Sequence, residues 1–134
     1  MTSIEPLYVA DTHALLWYFS GDRKLSQTAA QIFQASQNHE CLIYVSAISI
    51  AELYYADQKW RFFTDFKALY SRILMANHFK IVSFESSHVL DFDRDVKVPE
   101  MHDRIIVGLA RRLDAPIITS DSLIAASGIV RVIW

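Results

Sequence analysis

Four acids whose type and placement can do chemistry lie far apart in this chain: Asp11, Glu52, Asp103 and Asp121. Carboxylates brought together repel, so without a cation at least one of a cluster is expected to stay protonated. Hard divalent ions such as Mg2+ and Mn2+ prefer oxygen ligands, and Mg2+ often uses one or two carboxylates with water and a substrate phosphate. The sequence has no His/Cys cluster of the kind a structural zinc site wants. A hard cation is the group these residues suit.

The elements that must position the acids follow from the apolar pattern. Leu7-Tyr8-Val9-Ala10 is a short apolar run of the kind buried parallel strands use, and Asp11 closes it. Thr12 is predicted to cap a helix with Leu15, Leu16 and Phe19 on one side and Gly21 as its stop. Ser26 begins a second helix through Ala29, Ala30 and Phe33. Cys41 to Val45 is the second expected strand, and Ser46 or Ser49 caps a helix carrying Ile50, Leu53 and Tyr54, with Glu52 on a neighbouring face. Another helix is expected from about Thr64 to Met75.

Ile81-Val82-Ser83-Phe84 is the third expected strand, followed by a short helix from Ser86 or Ser87. Pro99 fits the opening of a long helix carrying Ile106, Val107, Ala110 and Leu113. Asp103 then falls in its first turn, where the helix dipole favours an anion. Pro116-Ile117-Ile118-Thr119 is the next strand, with Asp121 just beyond it. A short helix ends at Ser127-Gly128, and Val130 to Trp134 form a last strand. This β-α-α-β-α-α-β-α-α-β-α-β order predicts an α/β fold with a parallel sheet wrapped by helices. Ligands of such sheets bind beyond the carboxyl ends of the strands, which is where Asp11 and Asp121 are placed.

The 134 residues are 52% hydrophobic and 21% charged, with three Gly and three Pro, which predicts one globular domain over 1–134. No repeat or low-complexity tract divides it. A net charge of −2 lacks the strongly basic footprint of many nucleic-acid binders. Cys41, in an apolar run, reads as a small buried hydrophobe and fits a reducing cytosol. The start Met1-Thr2-Ser3-Ile4-Glu5-Pro6 lacks the basic region of a secretory signal, and no apolar stretch reaches the ~20 residues of a membrane helix. A soluble, cytoplasmic protein without membrane attachment is expected.

Other polar and aromatic residues have more local readings. His13 and His102 are expected to hydrogen-bond or pack near the pocket rather than act as general base. Arg104 is a candidate phosphate contact, whereas Arg111 and Arg112 suit a solvated helix face. Lys59 and Arg61 flank Trp60, with Phe62-Phe63 next, a combination read as a groove for a partner chain. Trp17-Tyr18-Phe19 is expected in the core with one ring exposed, and Trp134 packs the last strand.

Five stretches now carry a resemblance. They are Val9-Ala10-Asp11-Thr12-His13-Ala14-Leu15-Leu16-Trp17, Val45-Ser46-Ala47-Ile48-Ser49-Ile50-Ala51-Glu52-Leu53, His102-Asp103-Arg104-Ile105-Ile106, Ile118-Thr119-Ser120-Asp121 and the ending from Ser127 to Trp134. In this order the chain resembles a PIN domain, specifically the VapC-type toxins of bacterial toxin–antitoxin pairs. The resemblance implies a three-layer α/β/α sandwich and a Mg2+- or Mn2+-dependent endoribonuclease whose acidic quartet is Asp11, Glu52, Asp103 and Asp121. It places the Thr12 and Thr119 hydroxyls near the metal ligands. It also implies an RNA substrate, a cognate VapB-type antitoxin that occupies the site, and a homodimer.

The alternative is a non-catalytic PIN-like module that binds RNA or a protein, although an inactive copy need not keep all four acids. A receiver domain would pair acids near the first strand and place a Lys after a late one. A haloacid-dehalogenase-like phosphatase would show Asp-x-Asp where this chain has Asp11-Thr12-His13. Neither pattern is present.

Overall fold

The computed structural model describes residues 5–134, so the first four of the six residues read as lacking a secretory signal lie outside the described residues. Five strands, β1 (Leu7–Ala10), β2 (Leu42–Ser46), β3 (Phe79–Val82), β4 (Ile117–Ile118) and β5 (Val132–Ile133), form one sheet in the order β3-β2-β1-β4-β5. Every pairing is parallel. The connections carry α1 (Thr12–Ser20), α2 (Gln27–Gln37), α3 (Ala47–Trp60), α4 (Phe66–Met75), a 3-10 segment (Ser86–Asp95), α5 (Met101–Leu113) and α6 (Ser122–Ser127). From β1 the chain winds outward through β2 and β3, then returns to β4 on the other side of β1. The sheet therefore switches direction between β1 and β4, where open parallel sheets leave a crevice.

Alternation along the strands splits the core into two layers. Ala10, Ile43, Val45 and Ile118 join Leu15 and Leu16 of α1, Phe33 of α2, Leu53 of α3 and Ile73 of α4 on one face. Val9 and Ile117 face the other way, against Ile106, Val107 and Ala110 of α5 and Ile124 of α6. The result is the expected α/β/α sandwich. Cys41 is buried, and burial raises its thiol pKa, in keeping with an unreactive packing residue.

Several boundaries differ from expectation for identifiable reasons. Asp11, not Thr12, caps α1: its carboxylate accepts from the Ala14 amide at 2.9 Å. Of the two serines, Ser46 caps α3, and α4 starts at Phe66 with Asp65 as its cap rather than at about Thr64. β3 lies two residues earlier than predicted. It is an edge strand, so the exposed Lys80 interrupts the apolar run without cost, while the buried Phe79 pairs with Ile43. Pro99 stands outside α5, which Glu100 caps by accepting from the Asp103 amide at 2.8 Å. Trp17, Tyr18 and Phe19 are all half-buried, so no single ring of the three is the exposed one. Trp134 packs edge-on against Trp17.

Arg111 is not a solvated residue. Its Nε and Nη2 atoms each lie 3.1 Å from a carboxylate oxygen of Asp95, which is fully buried at the end of the 3-10 segment. Arg112 reaches Asp91 at 3.2 Å. Gly108 makes room for this cluster in mid-helix, where an added Cβ would come within 3.2 Å of Arg112 Nη1 and 3.5 Å of Asp95 Oδ2. The ion pairs fasten the 3-10 segment along α5, the helix that carries Asp103. Removing one partner of a buried pair strands the other charge. Arg111→Ala is expected to lower unfolding stability by about 3 kcal/mol in urea denaturation; a loss within the scatter of exposed-surface substitutions would show that the pair is not a structural tie.

Candidate functional site

Each of the four acids is set at the carboxyl rim of the sheet by the element before it. Asp11 follows β1 directly and is buried. Its neighbour across the switch crevice is Thr119, because the register aligns Ala10 with Ile118. The Thr119 hydroxyl donates to Asp11 Oδ2 and accepts from the Asp121 amide at 3.0 Å. Asp121 caps α6, its Oδ1 accepting from the Leu123 and Ile124 amides at 2.8 and 3.1 Å. One hydroxyl thus links the acid after β1 to the acid after β4.

Glu52 reaches the same rim from α3. The Thr12 hydroxyl lies 2.7 Å from Glu52 Oε1 and donates to it, and stands 3.1 Å from the hydroxyl of the buried Ser49. His102 Nδ1 sits 3.7 Å from Glu52 Oε2 and 3.1 Å from Glu100 Oε1, joining α3 to the start of α5. Glu100 was not singled out by sequence, and Ser49 was singled out only as a possible helix cap. The three-residue spacing of Ser46, Ser49 and Glu52 was the available signal, since residues three apart are neighbours on a helix surface. Arg104 turns its Nε to the Val98 carbonyl at 2.5 Å, so part of its guanidinium is engaged in holding the loop before α5.

The electrostatics tie the quartet together. Burial, followed by the charges of Asp121, Glu100, Glu52 and Asp11, pushes the Asp103 carboxyl up to about 6. No hydrogen bond contributes to offset that push. Burial also raises Asp11, opposed by its bonds to Thr119 and Ala14, with the Asp121 charge adding to the rise. The acids therefore act on one another across the switch crevice. They do not close into a ready cage: among the described residues, no three His, Cys, Asp or Glu side chains stand close enough to hold a metal ion as placed. The donor set is all oxygen, carboxylates with hydroxyls beside them, which fits Mg2+ or Mn2+ and is unlike a zinc site.

The other candidates separate by position. His13 is exposed and its ring packs beside Trp17 at 5.5 Å. Trp60 and Phe62 are exposed at the end of α3, while Phe63 is half-buried against the core. Among the described residues, no helix is long and apolar enough to cross a membrane.

The family model described as PIN domain matches residues 8–127. Solved structures share the fold at low identity. VapBC2 from Rickettsia felis bound to a DNA fragment from their promoter is 14% identical with a TM-score of 0.68, covering 95% of this chain and 97% of that one. A toxin–antitoxin complex from Klebsiella pneumoniae is 21% identical with a TM-score of 0.65, covering 95% and 96%. FitAcB from Neisseria gonorrhoeae is 15% identical with a TM-score of 0.66, again covering 95% and 96%. No curated protein matches the sequence at a significant level.

The raised Asp103 pKa has a consequence for stability. Its folded value of about 6 lies above the ordinary aspartate value of 3.8, so the folded state holds the proton more tightly. The resulting destabilisation is complete above about pH 6 and vanishes below the unfolded value. Asp103→Asn is expected to raise the metal-free melting temperature by a few degrees at pH 7.5 and to flatten the difference between pH 5 and pH 7.5. Unchanged melting at both pH values would contradict the electrostatic coupling.

Proposed function

The chain belongs to the PIN domain family, and from that premise we propose that it is a divalent-metal-dependent endoribonuclease, one domain over 1–134, acting in the cytoplasm as the toxin of a toxin–antitoxin pair. The observation that carries the reading is the raised pKa of the Asp103 carboxyl, which burial first and then acids from four separate connections of the sheet push up to about 6. Such an arrangement opposes folding at neutral pH unless a cation offsets it. Structures of toxin–antitoxin complexes among the fold relatives support a VapB-type antitoxin as partner, and a homodimer is the assembly that the family resemblance implies.

Asp11, Asp103 and Asp121 would hold the ion directly or through water, with Glu52 beside them. When bound, a divalent ion supplies positive charge that offsets the phosphate and acidifies water for attack on phosphorus. The chain's own part is orientation. Thr119 and the Ala14 amide fix the Asp11 carboxylate, and the α6 amides fix Asp121. Thr12 holds Glu52 in place, with His102 beside it. Carboxylates locked in this way need little rearrangement when an RNA phosphate arrives. With water activation supplied by a bound ion, neither His13 nor His102 would be required as a general base.

Cleavage of cellular RNA in Mg2+ or Mn2+, read by sequencing the new ends, tests the proposal. Wild type is expected to cut, and Asp11→Asn or Asp103→Asn to lose at least about 100-fold in rate while keeping wild-type circular dichroism. In a bacterial host, wild type should arrest growth and a small neighbouring gene should relieve the arrest. Equal metal-dependent cleavage by all three proteins removes the site assignment. A folded wild type that binds RNA and never cuts it favours the non-catalytic module instead.

A further inference from the structure

Buried serines on helices usually give their hydroxyl proton to a carbonyl of the preceding turn. Ser36 of α2 does so to Phe33 and Ser127 of α6 to Ile124, each at 2.6 Å. Ser49 of α3 departs from this habit. It is fully buried, and its hydroxyl instead meets the Thr12 hydroxyl of α1 at 3.1 Å. Thr12 lies 2.7 Å from Glu52 Oε1, and among the described residues this is the hydrogen bond made to the Glu52 carboxylate. His102 Nδ1 stands further off, at 3.7 Å. Counting protons fixes the direction of these bonds. A carboxylate only accepts, and a hydroxyl has one proton to give. The Thr12 proton is committed to Glu52, so Ser49 is the donor to Thr12.

We propose that Ser49 is a positioning residue for the cation site: by donating to Thr12 it directs the Thr12 proton onto Glu52 and holds that carboxylate beside the ion. The inference rests on the divalent-metal reading and adds to it the buried group that sets one of the four acids. Ser49 need touch neither ion nor RNA, because its effect passes through Thr12. Glu52 needs such a tether more than the aspartates do. Its side chain is longer and 31% exposed, so a lone bond from a freely turning hydroxyl would hold it loosely. A second hydroxyl behind the first removes that freedom, and bonds in a chain polarise one another. Packing alone asks for no oxygen at position 49, since alanine is small enough to let α1 lie against α3. The oxygen is explained by the bond it makes.

The test is calorimetric titration of Mn2+ into full-length, metal-free protein at pH 7, with melting temperature read alongside. The set comprises wild type, Ser49→Ala, Thr12→Val, Glu52→Gln and Ser49→Ala combined with each of the other two. Losing a group bonded directly to a metal ligand typically costs roughly 10- to 100-fold in affinity, so Thr12→Val should weaken Mn2+ binding about 10-fold or more. Ser49→Ala, one bond further back, should weaken it about 3- to 10-fold. Added to Thr12→Val or Glu52→Gln it should weaken binding no further, because the path it acts through is already cut. Should Ser49→Ala not fold, Ser49→Cys carries the same comparison, with a thiol that is a weak donor. Losses that multiply in the double variants overturn the proposal. So does a Ser49→Ala protein that melts lower yet binds Mn2+ as wild type does, which is the mark of packing alone. In either case, binding that Asp121→Asn still weakens leaves the metal reading standing. Folded wild type that binds no Mn2+ overturns both.

Discussion

Mutual repulsion among carboxylates at one rim of the sheet is the constraint around which this fold is arranged. Asp103 feels it most, because burial and four neighbouring acids all work against its ionisation. Asp11 meets the same burial but is relieved by a hydroxyl and an amide, and Asp121 is held by two amides of α6. The surrounding hydrogen bonds do more than satisfy polar groups. They hold the Asp11, Glu52 and Asp121 carboxylates against that repulsion, while the Asp103 carboxyl has no such bond. Stability given up at such a place is commonly the counterpart of function, since a site poised for a cation is strained without one.

The rest of the molecule supplies rigidity. Apolar layers on both faces clamp β1 and β4, so the crevice between them has fixed walls. α5 is buried along Ile105 to Ala110 and fastened to the 3-10 segment by the Asp95–Arg111 pair, which fixes where Asp103 stands relative to Asp121. Thr119 and Thr12 act as short links, one across the switch point between strands and one from α1 to α3. A hydroxyl suits both places because it can donate to a carboxylate and accept a bond at once.

Much of this was legible in the residues. The strand–helix alternation, the helix stops at Gly21 and Gly128 and the position of Asp11 and Asp121 beyond their strands came from local signals, and the structure reproduces them. What escaped depends on contacts between distant parts of the chain. Arg111 looks like an outward-facing charge until Asp95, 16 residues away, is folded onto it. Lys80 breaks an apolar run on paper but is harmless on an edge strand, which shifted β3. Thr12 was read as the cap of α1, whereas one Asp11 carboxylate oxygen caps the helix and the other accepts from Thr119. The strand order that puts β1 beside β4 has no periodic signature, so the meeting of the acids was inferred from the family pattern rather than seen in the sequence.

Direct titration of Mn2+ into the purified protein, followed by calorimetry at pH 7, tests the shared-cation account most closely. Saturable binding to wild type, weakened tenfold or more by Asp121→Asn and again by Asp103→Asn, is the predicted result. Saturable binding that neither substitution alters, or none at all in a folded wild type, would contradict it.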